Sequence, residues 1–255
     1  SVSVASNNAL TTTRARSGET ITYSITYNKP VTASITSAST AFNVATAVTS
    51  DAQASSSASD TIVFTVATGD NGAVTPNNID FTIVDAAGNP VAITSLGSVT
   101  GSVSADTTAP GSFTAGSVIT TGGTVVAGYW NSTNTGLQVT VPIDNDPTLT
   151  DGLVQIEAKI GANAYANLGT SGTILVGQLN GTHTVSITKA VLEGLADFAD
   201  SAVITFNAKI ADKAGNSTEG TASATTLTVI QSLPQINSVS VASNNALTTT
   251  RARSG

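Results

Sequence analysis

Apolar residues recur at every second position through much of this chain. In the stretch 19–27, Ile21, Tyr23, Ile25 and Tyr27 fall on one face and Thr20, Thr22, Ser24 and Thr26 on the other. That period of two marks a half-buried strand. Val2 and Val4 repeat it at the start of the chain. So do Ile62, Phe64 and Val66, and Ile79, Phe81 and Ile83. Later come Leu137, Val139, Val141 and Ile143, then Val154, Ile156, Ala158 and Ile160, then Ile204, Phe206, Ala208 and Ile210. Turn chemistry separates these runs. Asn28, Lys29 and Pro30 predict a turn after the first clean strand. The run 51–60 reads as a polar loop, GDNG and PNN as turns before residue 79, and DAAGN at 85–89 as a tight turn. A strand region at 91–103 closes this part. Only 188–195 carries helical spacing, with Val191, Leu192 and Leu195 on one side and Thr188 as the N-cap.

Seven or so short strands per hundred-odd residues, with no βαβ alternation, predict an all-β chain of two tandem antiparallel β-sandwiches. The first unit spans 1–105 and the second 111–230. Residues 106–110 (DTTAP) form the linker, stiffened by Pro110. The units are not copies of each other, yet both place D-x-A-G-N before their last strand. Ile21, Ile25, Ile62, Phe64, Phe81, Ile83, Val139, Val141, Ile156, Ile204 and Phe206 are the expected core.

One stretch occurs twice. Residues 1–18 and 238–255 are identical, so the chain holds one period of 237 residues and the opening of the next. Residues 231–237 form a second linker. We read the chain as a piece of a tandem array, with neighbouring repeats as partners. Exchange of the duplicated strand between molecules is the alternative. In either case the tail is expected to adopt the conformation of residues 1–18.

Composition narrows the function. Charged residues are only 10% of the chain, and 16 acidic against 9 basic residues leave a net charge of −7. That opposes a nucleic-acid-binding surface, which needs clustered Lys and Arg. There is no cysteine, which excludes disulfide scaffolds and thiolate metal sites. No signal peptide, transmembrane run or lipidation motif is present.

Taken together, SVSVASNN, SGETITYSITYNKPV and FTIVDAAGN in the first unit resemble the bacterial immunoglobulin-like domains that occur in tandem in very long cell-surface and secreted proteins. GYWNSTNTGLQVTVPIDND and FNAKIADKAGNSTEGTASATTLTV resemble a second kind of such repeat, and DTTAP a common join between them. The resemblance covers nearly the whole chain. It implies an extracellular stalk, biofilm fibre or adhesin and no catalysis. One departure is the second linker, which lacks an acidic residue and reads Gln231, Ser232, Leu233, Pro234.

Candidate chemistry is sparse. His183 is the one imidazole and lies in phase with Val185 and Ile187, so it reads as structural. Trp130 reads as core cover, and Lys29, the first unit's one lysine, lies outside any strand that could cross-link. Asp and Asn loops are the best signal. Asp106, Asp144, Asp146 and Asp212 are expected to converge at the first junction, because the B–C and F–G loops of such a sandwich share the pole at which the chain enters. Hard oxygen ligands in loops suit Ca²⁺. The spacing is not an EF-hand, and ordinary Asx-turns use the same residues. The expected function is a load-bearing repeat of an extracellular bacterial fibre, with an adhesin module binding glycan or protein through end loops as the alternative. Lateral self-association of arrays is left open.

Overall fold

The computed structural model describes residues 1–40, 57–244, 246–247 and 250–251, with the backbone alone for 35–40 and 76–80. The first unit contains β1 (Val2–Ser6), β2 (Arg14–Ala15), β3 (Thr20–Thr40), β4 (Ser57–Thr65), β5 (Gly72–Ala73), β6 (Pro76–Asp85), β7 (Pro90–Ile93), β8 (Val99–Thr100) and β9 (Ser104–Ala105). The second contains β10 (Val118–Thr121), β11 (Tyr129–Asn131), β12 (Gly136–Ile143), β13 (Leu153–Ile160), β14 (Ala166–Asn167), β15 (Gly172–Thr173), β16 (Gly181–Thr188), α1 (Lys189–Glu193), β17 (Val203–Ala211), β18 (Ser217–Glu219) and β19 (Leu227–Ile230). The chain is all-β.

In the first unit a sheet ordered β7-β6-β3-β1-β8, with β4 also on β3, faces a small sheet ordered β2-β9-β5. Alternation puts Ile21, Tyr23 and Ile25 inward, where they meet Ile62, Phe64, Phe81 and Val103. In the second unit β10-β12-β16 faces a sheet running β11-β19-β17-β13-β14, with β15 on β13 and β18 on β17. Leu137, Val139 and Val141 pack there against Ile156, Ile204 and Phe206. Every residue expected in the core is buried except Ile83, which is half-buried and packs against the first core. Most pairing is antiparallel. Among the described residues three short ladders are parallel: β1 with β8, β2 with β9 and β11 with β19.

Several local expectations change. Asn28, Lys29 and Pro30 do not turn the chain; they lie inside β3. Residues 20–26 pair with β1 and β4, and from Val31 onward β3 pairs with β6. The register against β4 shifts between Thr26 and Val31. Pro30 has no N–H to donate to a ladder, so it is tolerated where one partner leaves and another begins. Ser57 to Asp60 belong to β4 and Pro76 to Asn78 to β6, because both stretches pair with β3, a partner that turn-rich composition does not reveal. The rest of the expected loop at 51–60 lies outside the described residues. The closing region 91–103 is not one strand: it holds most of β7 and all of β8, and β9 follows it. The helix is short, Lys189–Glu193, with Thr188 at its N-cap position but no side-chain capping bond.

The tail departs most from expectation. Residues 238–244 form no strand, and Val239 and Val241 are 79% and 93% exposed where Val2 is 9% exposed. β1 is held between β3 and β8, and the chain contains no second copy of either for the tail to join. A lone strand has nothing to satisfy its backbone. One bond of the duplicated stretch is nonetheless repeated: Ser243 Oγ donates to the Arg251 carbonyl at 2.8 Å. Its counterpart Ser6 donates to the Arg14 carbonyl in the same way.

Candidate functional site, the joint between the two units

The linker 106–110 is hydrogen-bonded on both sides. Asp106 N–H continues the β2–β9 ladder by donating to the Ala15 carbonyl at 2.8 Å. Thr107 N–H donates to Asn71 Oδ1 at 2.8 Å, and Gly69 N–H donates to Thr107 Oγ1 at 3.0 Å. From the second unit, Asn216 Nδ2 donates to the Asp106 carbonyl at 2.8 Å, and Thr218 Oγ1 to the Pro110 carbonyl at 2.5 Å. Five residues with this many partners do not behave as a free tether.

A second set of contacts comes from the loop 7–16, inside the duplicated stretch. Asn8 is buried, and its Oδ1 accepts from Leu10 N–H at 2.8 Å and Thr11 N–H at 3.1 Å, an Asx-type turn. Its Nδ2 then reaches across to the Ala214 carbonyl at 2.7 Å. Arg16 Nη1 donates to the Gly215 carbonyl at 2.7 Å while its Nε pairs with Glu19 at 3.1 Å. Leu10 covers Gly215. A Cβ added there would lie 3.0 Å from Leu10 Cδ1, and the φ of +89° is one that a side chain would strain.

The receiving surface is the turn 212–216. Asp212 Oδ1 accepts from Asn216 N–H at 3.0 Å, and Oδ2 from Asn216 Nδ2 at 2.9 Å. Asp212 is 1% exposed. Burial raises its carboxyl above the ordinary value, and the nearby charge of Asp106 adds to this against the Asn216 bonds.

Of the four carboxylates expected to meet, the joint brings two together. Asp106 and Asp212 are both buried and electrostatically coupled. Asp146 accepts from Thr148 N–H at 2.9 Å and Thr148 Oγ1 at 2.8 Å, capping the short 3-10 turn Pro147–Leu149. Its loop still abuts the joint, since Lys213 N–H donates to the Thr148 carbonyl at 3.1 Å. Asp144 is exposed and lies over Gly111. Among the described residues no three His, Asp or Glu side chains are grouped to hold a metal. Asn8, Arg16 and Asn71 carry the joint without any signal in the sequence: their partners at the joint lie tens to hundreds of residues away.

Elsewhere, His183 is buried, its Nδ1 2.9 Å from Gln178 Oε1 and its Nε2 facing Gly172, where a Cβ would sit at 2.3 Å. Burial lowers its pKa. Trp130 is fully buried, and its indole N–H donates to Glu193 Oε1 at 3.2 Å. The same carboxylate accepts from Gln231 Nε2 at 2.5 Å. Asp200 accepts from Gln231 N–H at 2.6 Å and from Ser232 N–H and Oγ, and these donors hold its carboxyl below the ordinary value. So the start of the second linker also has an acidic partner, supplied from the body of the unit rather than from the linker itself. No described helix is long and apolar enough to cross a membrane.

No family model and no curated protein matches the sequence. Among solved structures the chain is similar to dimeric latent PorU from Porphyromonas gingivalis, at 12% identity and a TM-score of 0.29, over 86% of this chain and 19% of that one. It is similar also to the chicken CNTN1 FN1-FN3 domains, at 12% identity and a TM-score of 0.27, over 94% of this chain and 69% of that one.

Proposed function

We propose that the chain is a structural repeat of a long extracellular bacterial fibre, stalk or surface protein, whose work is to extend and to bear load. The observation that supports this best is the first joint. Its linker is bonded into both units, and the duplicated stretch supplies the contacts of loop 7–16 that brace it. A tandem array of such periods transmits force through backbone ladders and side-chain bonds rather than through slack. The role requires no reaction. Chains of one, two and four periods measured by small-angle scattering test it: the maximum dimension should grow in proportion to period number, and a coil-like square-root growth would defeat the proposal.

Ca²⁺ at the joint is part of the same proposal. Two buried carboxylates leave like charge close together, and a cation would relieve it. Calorimetric titration of the chain with Ca²⁺, against the double variant Asp106→Asn with Asp212→Asn, decides this. Binding lost in the variant supports it, and no binding by the parent chain ends it.

A second reading, a binding or laterally associating module, has its own observation. On the flank of the second unit a cleft of about 270 Å³ is lined by Val118, Ile119, Thr120, Val125, Val126 and Leu227, among other residues. Ile119, Val125 and Val126 are 53%, 52% and 44% exposed, and buried Thr120 Oγ1 has no hydrogen-bond partner. Contiguous apolar surface of this kind marks contact sites. A glycan array and sedimentation of Val125→Ser would separate ligand binding from self-association.

A further inference from the structure

The two D-x-A-G-N turns close hairpins in the same way, and one of them is already a docking surface. In the second unit Ala211 pairs with Ser217 across the turn; in the first, Val84 pairs with Pro90. Asn216 uses its Nδ2 both on Asp212 and on the carbonyl of the arriving linker. Asn89 uses its Nδ2 on Asp85 alone, at 3.1 and 3.0 Å, and is exposed.

The chain start lies beside that second turn. Ser1 N donates to the Thr26 carbonyl at 2.8 Å. Three residues on, Lys29 Nζ is 2.5 Å from Asp85 Oδ2. Between them runs an open groove of about 330 Å³ whose apolar floor is Tyr27, Val31, Ile83 and Val91, with Val91 51% exposed. Sequence identity says what precedes this pole in a tandem array. Ser238 is the counterpart of Ser1, so residues 231–237 arrive there. Ile236 stands two residues before Ser238, about 7 Å of extended chain. Leu233 and Ile236 are 77% and 85% exposed in this chain.

We propose that the turn 85–89 and the groove beside it seat the linker 231–237 of the preceding repeat. Leu233 and Ile236 cover Val91 and Ile83, and a linker carbonyl takes the free hydrogen-bonding capacity of Asn89, as Asp106 does on Asn216. The inference rests on the array reading. It makes the receiving side of the second joint apolar, with Asp85 there already paired to Lys29.

The test uses a two-period chain, in which Glu19 and the residues after it follow Gly255. The protein has no cysteine, so paired substitutions report without background. Leu233→Cys in the first period with Val91→Cys in the second should form a disulfide about tenfold faster than Leu233→Cys with Val126→Cys on the flank. Asn89→Ala in the second period should slow it. Amide exchange of Val239 and Val241 is read in the same samples. If they become as protected as Val2 and Val4 but the two cysteine pairs cross-link equally or not at all, the seat is wrong and the array stands. If they stay unprotected, the array reading itself fails and the seat with it.

Discussion

The turns 85–89 and 212–216 are one local structure in two settings. In each, glycine N–H donates to the aspartate carbonyl, at 2.9 and 3.1 Å. In each, asparagine N–H donates to the aspartate Oδ1 at 3.0 Å. The glycines share a φ of +84° and +89°. Everything beyond the turn differs. Asp85 meets Lys29 and the Asn89 amide, which hold its carboxyl far below the ordinary value. Asp212 is buried in the joint near Asp106, and its carboxyl is raised, chiefly by burial. Five residues suffice to specify a turn because its bonds are internal to it. Whether its carboxylate prefers or resists its charge depends on what the rest of the molecule places over it.

The largest test of this comparison is the asparagine pair. Asn216→Ala removes donors to both Asp212 and the Asp106 carbonyl in a partly buried joint, and should cost about 2–3 kcal/mol. Asn89→Ala removes only a local bond and should cost about 1 kcal/mol or less. Urea unfolding followed by Trp130 fluorescence for the first and circular dichroism for the second measures both. Equal costs would mean that the tertiary contacts of Asn216 add nothing.

The glycine pair is next. Gly88→Ala and Gly215→Ala each place a side chain at positive φ, at about 1–2 kcal/mol. Nothing lies within 4 Å of a Cβ at Gly88, whereas one at Gly215 must displace Leu10. Only Gly215→Ala should therefore broaden the distribution of interdomain distances, seen by scattering. A similar broadening from Gly88→Ala would remove the distinction.

Acidification should move the two turns in opposite directions. Asp85 binds its proton less tightly folded than unfolded, so its contribution is present above the ordinary value of 3.8 and is lost as pH falls below it. Asp212 binds its proton more tightly folded, so its contribution is full below 3.8 and is lost as pH rises through the elevated folded value. Relative to the parent chain, Asp85→Asn should flatten the acid limb of a stability–pH curve. Asp212→Asn should flatten the fall toward neutrality. Two variants shifting the same limb would refute the assignment.

The smallest effect concerns Lys29. It is 57% exposed, so Lys29→Ala should cost under about 1 kcal/mol and lose most of that in high salt. A larger, salt-insensitive loss would show that Lys29 matters to the packing of β3 on β6 and not only to Asp85.

What the sequence determined by itself was whatever short range can settle. Alternation placed Ile21, Ile25, Phe64, Val139 and Phe206 inward, because a strand's side chains must alternate and only one face can be dry. The D-x-A-G-N turns and the helix position were legible for the same reason. The duplicated stretch shows the limit. The bond from Ser243 to the Arg251 carbonyl repeats that of Ser6 because both partners lie in one loop, yet Val239 and Val241 form no strand because β1 exists through β3 and β8. Tertiary structure alone decided that β3 runs through Pro30, that Asn216 ties the turn 212–216 to the arriving linker, and that Asn8 closes the joint. Each of these depends on a partner far along the chain. The free energy of such a contact is set by burial and pairing at the point of meeting, and no local pattern of residues encodes where that point will be.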